Sequence, residues 1–297
     1  MEKITLTFLG TGNAVPTPKR NHTAMLLTYK NENILIDCGE GTQRQFKFAK
    51  LSANKITKLL LTHLHGDHVL GIPGLFQTLK MNNFSRTLEV YGPRGTERFI
   101  YGLEQLFKIK IQTRIEEVFS KFLETDEFYL EAASMKHDAP CNAYSFVIKD
   151  KFRLDPKKLK KLKLPNSPIL KQLAEGKDIT FEGKKIKASE VSYLEKGRKI
   201  TFILDTAYND AATELASESD ILVCEASFSN EEAQLASERM HLTAEQAATI
   251  AKKANAKRLI LTHISQRYEH NPRAILEEAR KVFKNTTLAK DLDVVEF

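Results

Sequence analysis

Four short apolar runs each lead into a residue able to carry charge or bind a metal, and this recurrence narrows the fold more than any other feature. Lys58-Leu59-Leu60-Leu61-Thr62 runs into His63, Ile200–Leu204 into Asp205, Asp220–Cys224 into Glu225, and Arg258–Thr262 into His263. Continuous apolar runs of this length read as strands buried on both faces. Further strands are predicted over Ile4–Leu9, Ala24–Tyr29, Ile34–Asp37, Leu88–Tyr91 and Phe128–Met135. Helical patterning lies between them at Thr42–Lys50, from Val69 to about Met81, and from the turn Gly92-Pro93-Arg94-Gly95 to near Phe107. A later helix, Thr243–Ala254, starts on the capping pattern Thr-Ala-Glu-Gln. Strands alternating with helices give a layered α/β architecture rather than a β-sandwich. Loops at one set of strand ends then form the ligand cleft.

The densest chemistry follows the first of the four runs, in Thr62-His63-Leu64-His65-Gly66-Asp67-His68. On a loop leaving a strand, residues at i and i+2 can point to one metal while i+4 and i+5 reach another. Gly66 permits the tight backbone that such a turn needs. A lone histidine is usually a surface or satisfied core residue, but four donors within six positions are not. With His137, Asp205 and His263 at other strand ends, seven oxygen and nitrogen donors converge, enough for two zinc ions sharing a carboxylate and a water. Thiolate donors are missing, which favours an open catalytic site over a closed structural one. The same donors suit manganese and iron.

Composition limits the setting. No apolar run approaches the length of about 20 residues that a membrane-spanning helix needs. Met1-Glu2-Lys3-Ile4-Thr5 lacks the layout of a secretory signal and is expected to open the first strand. Cys38, Cys141 and Cys224 are odd in number and widely spaced, so they read as buried small hydrophobes in a reducing, cytoplasmic protein. A net charge of +7 attracts polyanions, and its distribution is uneven. From Lys151 to Lys163 there are seven cationic residues and one acidic one, over a thin apolar stripe of Leu154, Leu159, Leu162 and Leu164. Pro165-Asn166-Ser167-Pro168 breaks the chain before a short helix at Ile169–Ala174. Segment 151–193 is therefore expected to be a protruding basic arm inserted into one catalytic domain formed by 1–150 and 194–297. His22 and His270 read as surface residues, and the cations of Asn13–Arg20 as a rim that either touches a polyanion or has no partner.

Taken in order along nearly the whole chain, these segments resemble the metallo-β-lactamase superfamily and, within it, the ribonuclease Z family of tRNA 3′-processing endonucleases. The resemblance rests on Phe8-Leu9-Gly10-Thr11-Gly12 with Val15-Pro16, Ile36-Asp37-Cys38-Gly39-Glu40-Gly41-Thr42-Gln43, and Thr62–His68 continuing into Gly71-Ile72-Pro73-Gly74-Leu75. It continues through Tyr91-Gly92-Pro93-Arg94-Gly95, Asp205-Thr206, Glu225-Ala226-Ser227-Phe228, His241–Ala247 and Leu261–Tyr268. The His-x-His-x-Asp-His signature identifies only the superfamily; the Gly-Glu-Gly-Thr-Gln, Tyr-Gly-Pro and His-Leu-Thr segments narrow it. Leu204, Cys224, Ser227 and Ala143 depart from the glycine, histidine, threonine and glycine usual at their positions.

The resemblance implies a four-layer αββα metallo-β-lactamase fold with a basic arm. It implies that His63, His65 and His137 hold one zinc, that Asp67, His68 and His263 hold the other, and that Asp205 bridges. His241 becomes the catalytic histidine, Glu225 its orienting carboxylate, and Asp67 a second group able to steer a water proton. Thr243 and Arg267 are expected at phosphate, and Lys157, Lys158, Lys160 and Lys161 on the folded body of a precursor tRNA. The expected reaction is two-metal hydroxide attack that removes a 3′ trailer, leaving a 3′-hydroxyl on the tRNA and a 5′-phosphate on the trailer. A homodimer without membrane attachment is implied as well. A glyoxalase-II-like thioesterase or lactamase would share the histidine motif but not need the arm, Glu225 or His241. A non-catalytic RNA-binding protein would be expected to lack some of the seven donors.

Overall fold

The computed structural model describes residues 2–297, and Met1 of the expected first strand lies outside the described residues. The chain divides into a larger unit, residues 2–124, 129–146 and 199–297, and a smaller one formed by 125–128 and 147–198.

The larger unit is built on two seven-stranded sheets. The first runs Val294–Glu296, Ile4–Gly10, Ala24–Tyr29, Glu32–Ile36, Lys58–Leu60, Leu88–Gly92 and Thr113–Glu117. Its early neighbours pair antiparallel, and from Glu32–Ile36 onward the pairing is parallel. The second sheet runs Thr286–Leu288, Leu259–Thr262, Ile221–Glu225, Lys199–Ile203, Asn142–Ile148, Phe128–Ser134 and Lys121–Glu124, with parallel pairing among the first four. Side chains from the two sheets meet: Tyr29 packs edge-on against Phe146 at 5.6 Å, and Phe122 contacts both Tyr91 and Tyr144. On its other face the first sheet shares a core with helices Thr42–Phe48, Ile72–Met81 and Thr96–Phe107. The second does so with Asp210–Ala216, Ala244–Lys253 and Pro272–Val282. Two sheets between two helical layers make a four-layer αββα sandwich, and its central strands are buried on both faces, as their unbroken apolar runs require.

The helix expected from Val69 to Met81 is divided into Gly66–Val69 and Ile72–Met81. Gly71 passes so close to Gly39 that a Cβ there would lie 2.0 Å from the Gly39 carbonyl oxygen, and its N–H bonds to the Cys38 carbonyl at 2.9 Å. Pro73 then starts the second helix, where a missing N–H costs nothing. This junction ties the metal-motif turn to the loop after Ile36. Two further elements bury few side chains. The strand Thr113–Glu117 reads TRIEE, and helix Pro272–Val282 buries only Ile275 and Ala279.

The smaller unit has a core of its own. An antiparallel pair, Lys151–Leu154 with Ser192–Glu195, encloses helices Pro156–Lys161 and Ile169–Ala174, the hairpin Ile179–Phe181/Lys184–Ile186, and a turn of helix at Ala188–Val191. Leu173, Ile179, Ile186, Ala188 and Val191 are buried together, with Leu154, Leu159 and Leu164 against them. Three leucines of the expected stripe, Leu154, Leu159 and Leu164, are therefore one side of a small core, whereas Leu162 is exposed; Ile179, Ile186 and Val191 supply the other side. Asp155 caps helix Pro156–Lys161 by accepting the N–H groups of Lys157 and Lys158. Residues 147–198 hold fifteen Lys or Arg against seven Asp or Glu, so their surplus exceeds the +7 of the whole chain.

Candidate metal centre

Each donor enters the cleft from the end of a strand. His63, His65, Asp67 and His68 follow Lys58–Leu60, His137 follows Phe128–Ser134, Asp205 follows Lys199–Ile203, and His263 follows Leu259–Thr262. His63, His65, His137 and Asp205 bring one donor atom each within 4.8 Å of one another, and Asp67, His68, Asp205 and His263 do the same. Asp205 belongs to both sets and divides its oxygens between them. Its Oδ2 lies 3.6 Å from His63 Nε2 and 4.0 Å from His137 Nε2. Its Oδ1 lies 3.4 Å from His68 Nε2 and 3.1 Å from His263 Nε2.

Hydrogen bonds on the far side of the rings fix which nitrogen faces inward. His68 Nδ1 is 2.7 Å from Asp37 Oδ2, His263 Nδ1 is 2.8 Å from Ser227 Oγ, His63 Nδ1 is 3.1 Å from Thr62 Oγ1, and His137 Nδ1 is 3.3 Å from the Met240 carbonyl. Each of these rings thus turns Nε2 toward the shared space. His65 is reversed: its Nδ1 faces His137 Nε2 at 3.3 Å. Asp37 is fully buried and also accepts the Thr62 N–H at 2.7 Å and the Thr62 hydroxyl at 2.8 Å. Such partners orient a ligand ring and set its tautomer.

The residues fit a pair of divalent cations. His63 Nε2 and Asp205 Oδ1 are buried polar atoms without a hydrogen-bond partner, and buried polar groups are rarely left so. The Nε2 atoms of His68 and His263 face each other at 3.1 Å, two nitrogens aimed at one point. Burial, then the charge of His68, holds His63 well below the usual histidine range, in the neutral form that a ligand needs. Burial favours the acid form of Asp205, but His263, His68 and His241 outweigh it and keep the carboxylate ionised.

A second constellation stands beside the first. His241 Nδ1 lies 3.1 Å from both oxygens of Glu225. Glu225 is fully buried, and it accepts the Thr206 N–H at 2.8 Å and the Ser227 hydroxyl at 2.7 Å. Burial opposes charge on His241, yet Glu225 and then Asp205 overcome it and raise the ring to about 9. With Nδ1 engaged, Nε2 is the atom that His241 offers to the cleft. That cleft, of about 400 Å³, is lined by His65, His137, Asp67, His263 and the shared Asp205, together with Val15, Phe228, Arg239 and Arg267, while His63 and His68 are buried behind it.

Other expected contacts fall differently. Thr243 is fully buried, and its hydroxyl accepts the Gln246 N–H in a capping box, so it anchors the helix behind His241 and does not line the cleft. Arg267 lines the cleft with one arm of its guanidinium on Glu232 at 2.7 Å, and Glu232 also takes the Tyr268 hydroxyl. His22, read as a surface residue, is buried with Nε2 3.3 Å from the Ala14 carbonyl, and His270 is exposed. Arg20 is buried on Thr11 Oγ1 and the Ala289 carbonyl, which leaves Lys19 as the exposed cation of that rim. Lys157, Lys158, Lys160 and Lys161 are all exposed on one short helix of the smaller unit. The three cysteines are free and buried. Asp37 was not singled out from sequence as a site residue; its only local signal is an acidic residue directly after a buried strand.

Known proteins agree with this architecture. A family model described as Anti-Pycsar protein Apyc1 matches residues 4–156, and one described as Beta-lactamase superfamily domain matches residues 179–264. The metallo-beta-lactamase fold protein YhfI from Bacillus subtilis superposes with a TM-score of 0.73 over 100% of both chains at 20% identity, a likeness of fold. The chain is therefore a metallo-β-lactamase-fold hydrolase, related over its first half to the Apyc1 family. Ribonuclease Z of Bacillus cereus (strain B4264) is 40% identical over 96% of this chain and 96% of its own. Ribonuclease Z of Nanoarchaeum equitans (strain Kin4-M) is 35% identical over 97% and 92%. Human tRNase Z, short form, superposes with a TM-score of 0.71 at 28% identity over 98% of both chains. The chain belongs to the ribonuclease Z family and is an endonuclease that hydrolyses phosphodiester bonds.

Proposed function

We propose that the chain is a zinc-dependent endoribonuclease that removes the 3′ trailer from precursor tRNA. The observation that carries this reading is Asp205 standing between two complete donor sets, with the Glu225–His241 pair in the same cleft. His63, His65, His137 and Asp205 would hold one zinc, and Asp67, His68, His263 and Asp205 the other. Two such ions, when bound, acidify a water and offset charge on the phosphoryl oxygens.

The chain's own groups supply the rest. Burial opposes charge on Asp67, but His263 and His68 outweigh it and hold the carboxyl well below its usual range, so it stays ionised and can accept a hydrogen bond from the attacking water and steer its proton. His241 carries a proton on Nε2 and Glu225 keeps the ring from turning, so His241 donates to the departing ribose 3′-oxygen. Water attacks phosphorus in line, the P–O3′ bond breaks, and the tRNA leaves with a 3′-hydroxyl while the trailer keeps the 5′-phosphate. The smaller unit's exposed lysines would lie along tRNA phosphates, contacts that position an RNA without reading its sequence. Among the described residues no helix is long and apolar enough to cross a membrane, and a cytoplasmic homodimer is the setting we propose. A small-ester hydrolase has no use for a buried carboxylate–histidine pair or a lysine-rich unit. Asp67→Ala tests the reading: cleavage of a trailer-bearing precursor should vanish while precursor binding persists. Wild-type protein that binds the precursor but never cuts it would refute it.

A further inference from the structure

Five histidines meet at the two donor sets, and four of them are fixed by a partner on the nitrogen that faces away. His65 differs because it turns Nδ1 inward, so the nitrogen that needs an acceptor is Nε2. A carboxylate within reach of it is that of Asp138, whose Oδ1 lies 3.4 Å from His65 Nε2, an ion-pair distance and not a formed hydrogen bond. The same oxygen is 3.2 Å from His137 Nε2. Asp138 is nevertheless outside the mutually close donor set of His63, His65, His137 and Asp205, so its oxygen stands at the edge of that set. Its side chain is 63% exposed and it lines the cleft mouth, while the His65 side chain is 41% exposed. His65 is thus the least enclosed of the five rings and has the least packing to hold its orientation.

We propose that Asp138 is the positioning residue for His65. Its carboxylate accepts the Nε2–H, keeps that proton off Nδ1, and so holds the inward nitrogen in its donor form. Losing such a partner behind a ligating imidazole costs about 10- to 100-fold in metal affinity. The exposure of Asp138 puts the expected loss near the lower figure. The assignment rests on the proposal that His65 is a metal ligand, and it predicts a site-specific effect: the ion held by His63, His65 and His137 is weakened and the other is not. It also predicts that the effect follows the acceptor atom and not the negative charge.

The test is a Zn²⁺ titration against a competing chelator on wild type, Asp138→Ala and Asp138→Asn, with thermal melting of each metal-free protein. In Asp138→Ala, one of two equivalents should bind about tenfold more weakly while the other keeps wild-type affinity and the metal-free melting temperature is unchanged. Asp138→Asn retains a carbonyl acceptor and should lie closer to wild type than to the alanine variant. Unchanged affinity for both equivalents in Asp138→Ala, equal weakening of both, or an asparagine variant as weak as alanine would each overturn the inference. A wild-type protein binding fewer than two equivalents would instead remove the two-metal reading on which it stands.

Discussion

Replacing Asp37 by asparagine should damage the metal centre although Asp37 is not itself proposed as a ligand. The carboxylate is fully buried and accepts three hydrogen bonds, from the Thr62 N–H, the Thr62 hydroxyl and His68 Nδ1. Asparagine has the same shape but one acceptor oxygen and one NH₂ donor. If the amide keeps its oxygen toward the Thr62 N–H, its NH₂ faces His68 Nδ1 at the 2.7 Å now spanned by the carboxylate. The imidazole must then accept at Nδ1 and carry its proton on Nε2, the atom that faces Asp205 and His263. If the amide flips, its NH₂ confronts the Thr62 N–H, donor against donor. Neither orientation preserves the site. Loss of a ligand's supporting partner costs about 10- to 100-fold in metal affinity, or about 1.4–2.7 kcal/mol, and both orientations being wrong places the expectation at the upper end. Isothermal titration with Zn²⁺ and a competing chelator reads the two equivalents separately. The weakened one should be that of Asp67, His68 and His263, with precursor cleavage falling in proportion. Two equivalents binding within twofold of wild type would refute the tautomer argument.

Two other perturbations test separate parts of the account. Changing Lys157, Lys158, Lys160 and Lys161 together to alanine should flatten the dependence of log affinity on log salt for precursor tRNA by about 3 to 4, if each lysine meets one phosphate at roughly 0.9 per contact. Filter binding across a salt series measures it, and an unchanged slope would place these lysines off the RNA. Met240 adopts φ 53° immediately before His241 while its carbonyl holds His137 Nδ1. Left-handed backbone costs a side-chain-bearing residue about 1–2 kcal/mol, and glycine returns about 0.5–1 kcal/mol of that as chain entropy. Met240→Gly should therefore melt at or slightly above wild type with Zn²⁺ affinity intact; a clear drop in melting temperature would contradict the strain argument.

The sequence was most legible where function is dense and local. Four donors between His63 and His68 needed no tertiary information, and Asp205 and His263 announced themselves by ending apolar runs. What escaped was the layer behind the proposed ligands. Asp37 and Ser227 reach their histidines across 31 and 36 residues, and a single acidic or hydroxyl side chain carries no signal over that distance. Thr243 shows two readings in competition: the capping pattern at 243–246 was legible and accounts for its hydroxyl as an acceptor, and full burial keeps the side chain out of the cleft where a phosphate would sit. The smaller unit's core was missed because Leu154, Leu173, Ile179, Ile186 and Val191 are spread over a long basic stretch without a helical or strand period. Arg20 and His22 looked like rim residues because the groups they bond, the Thr11 hydroxyl and the Ala14 and Ala289 carbonyls, carry no signal in the sequence.

The chemistry of the cut ends bears most directly on the proposed reaction. A precursor tRNA with a defined 3′ trailer, incubated with the Zn²⁺-loaded protein, should yield a tRNA ending in a 3′-hydroxyl and a trailer beginning with a 5′-phosphate, since water and not the ribose 2′-hydroxyl attacks phosphorus. A 2′,3′-cyclic phosphate on the tRNA product, with a 5′-hydroxyl on the trailer, would contradict the account at its centre.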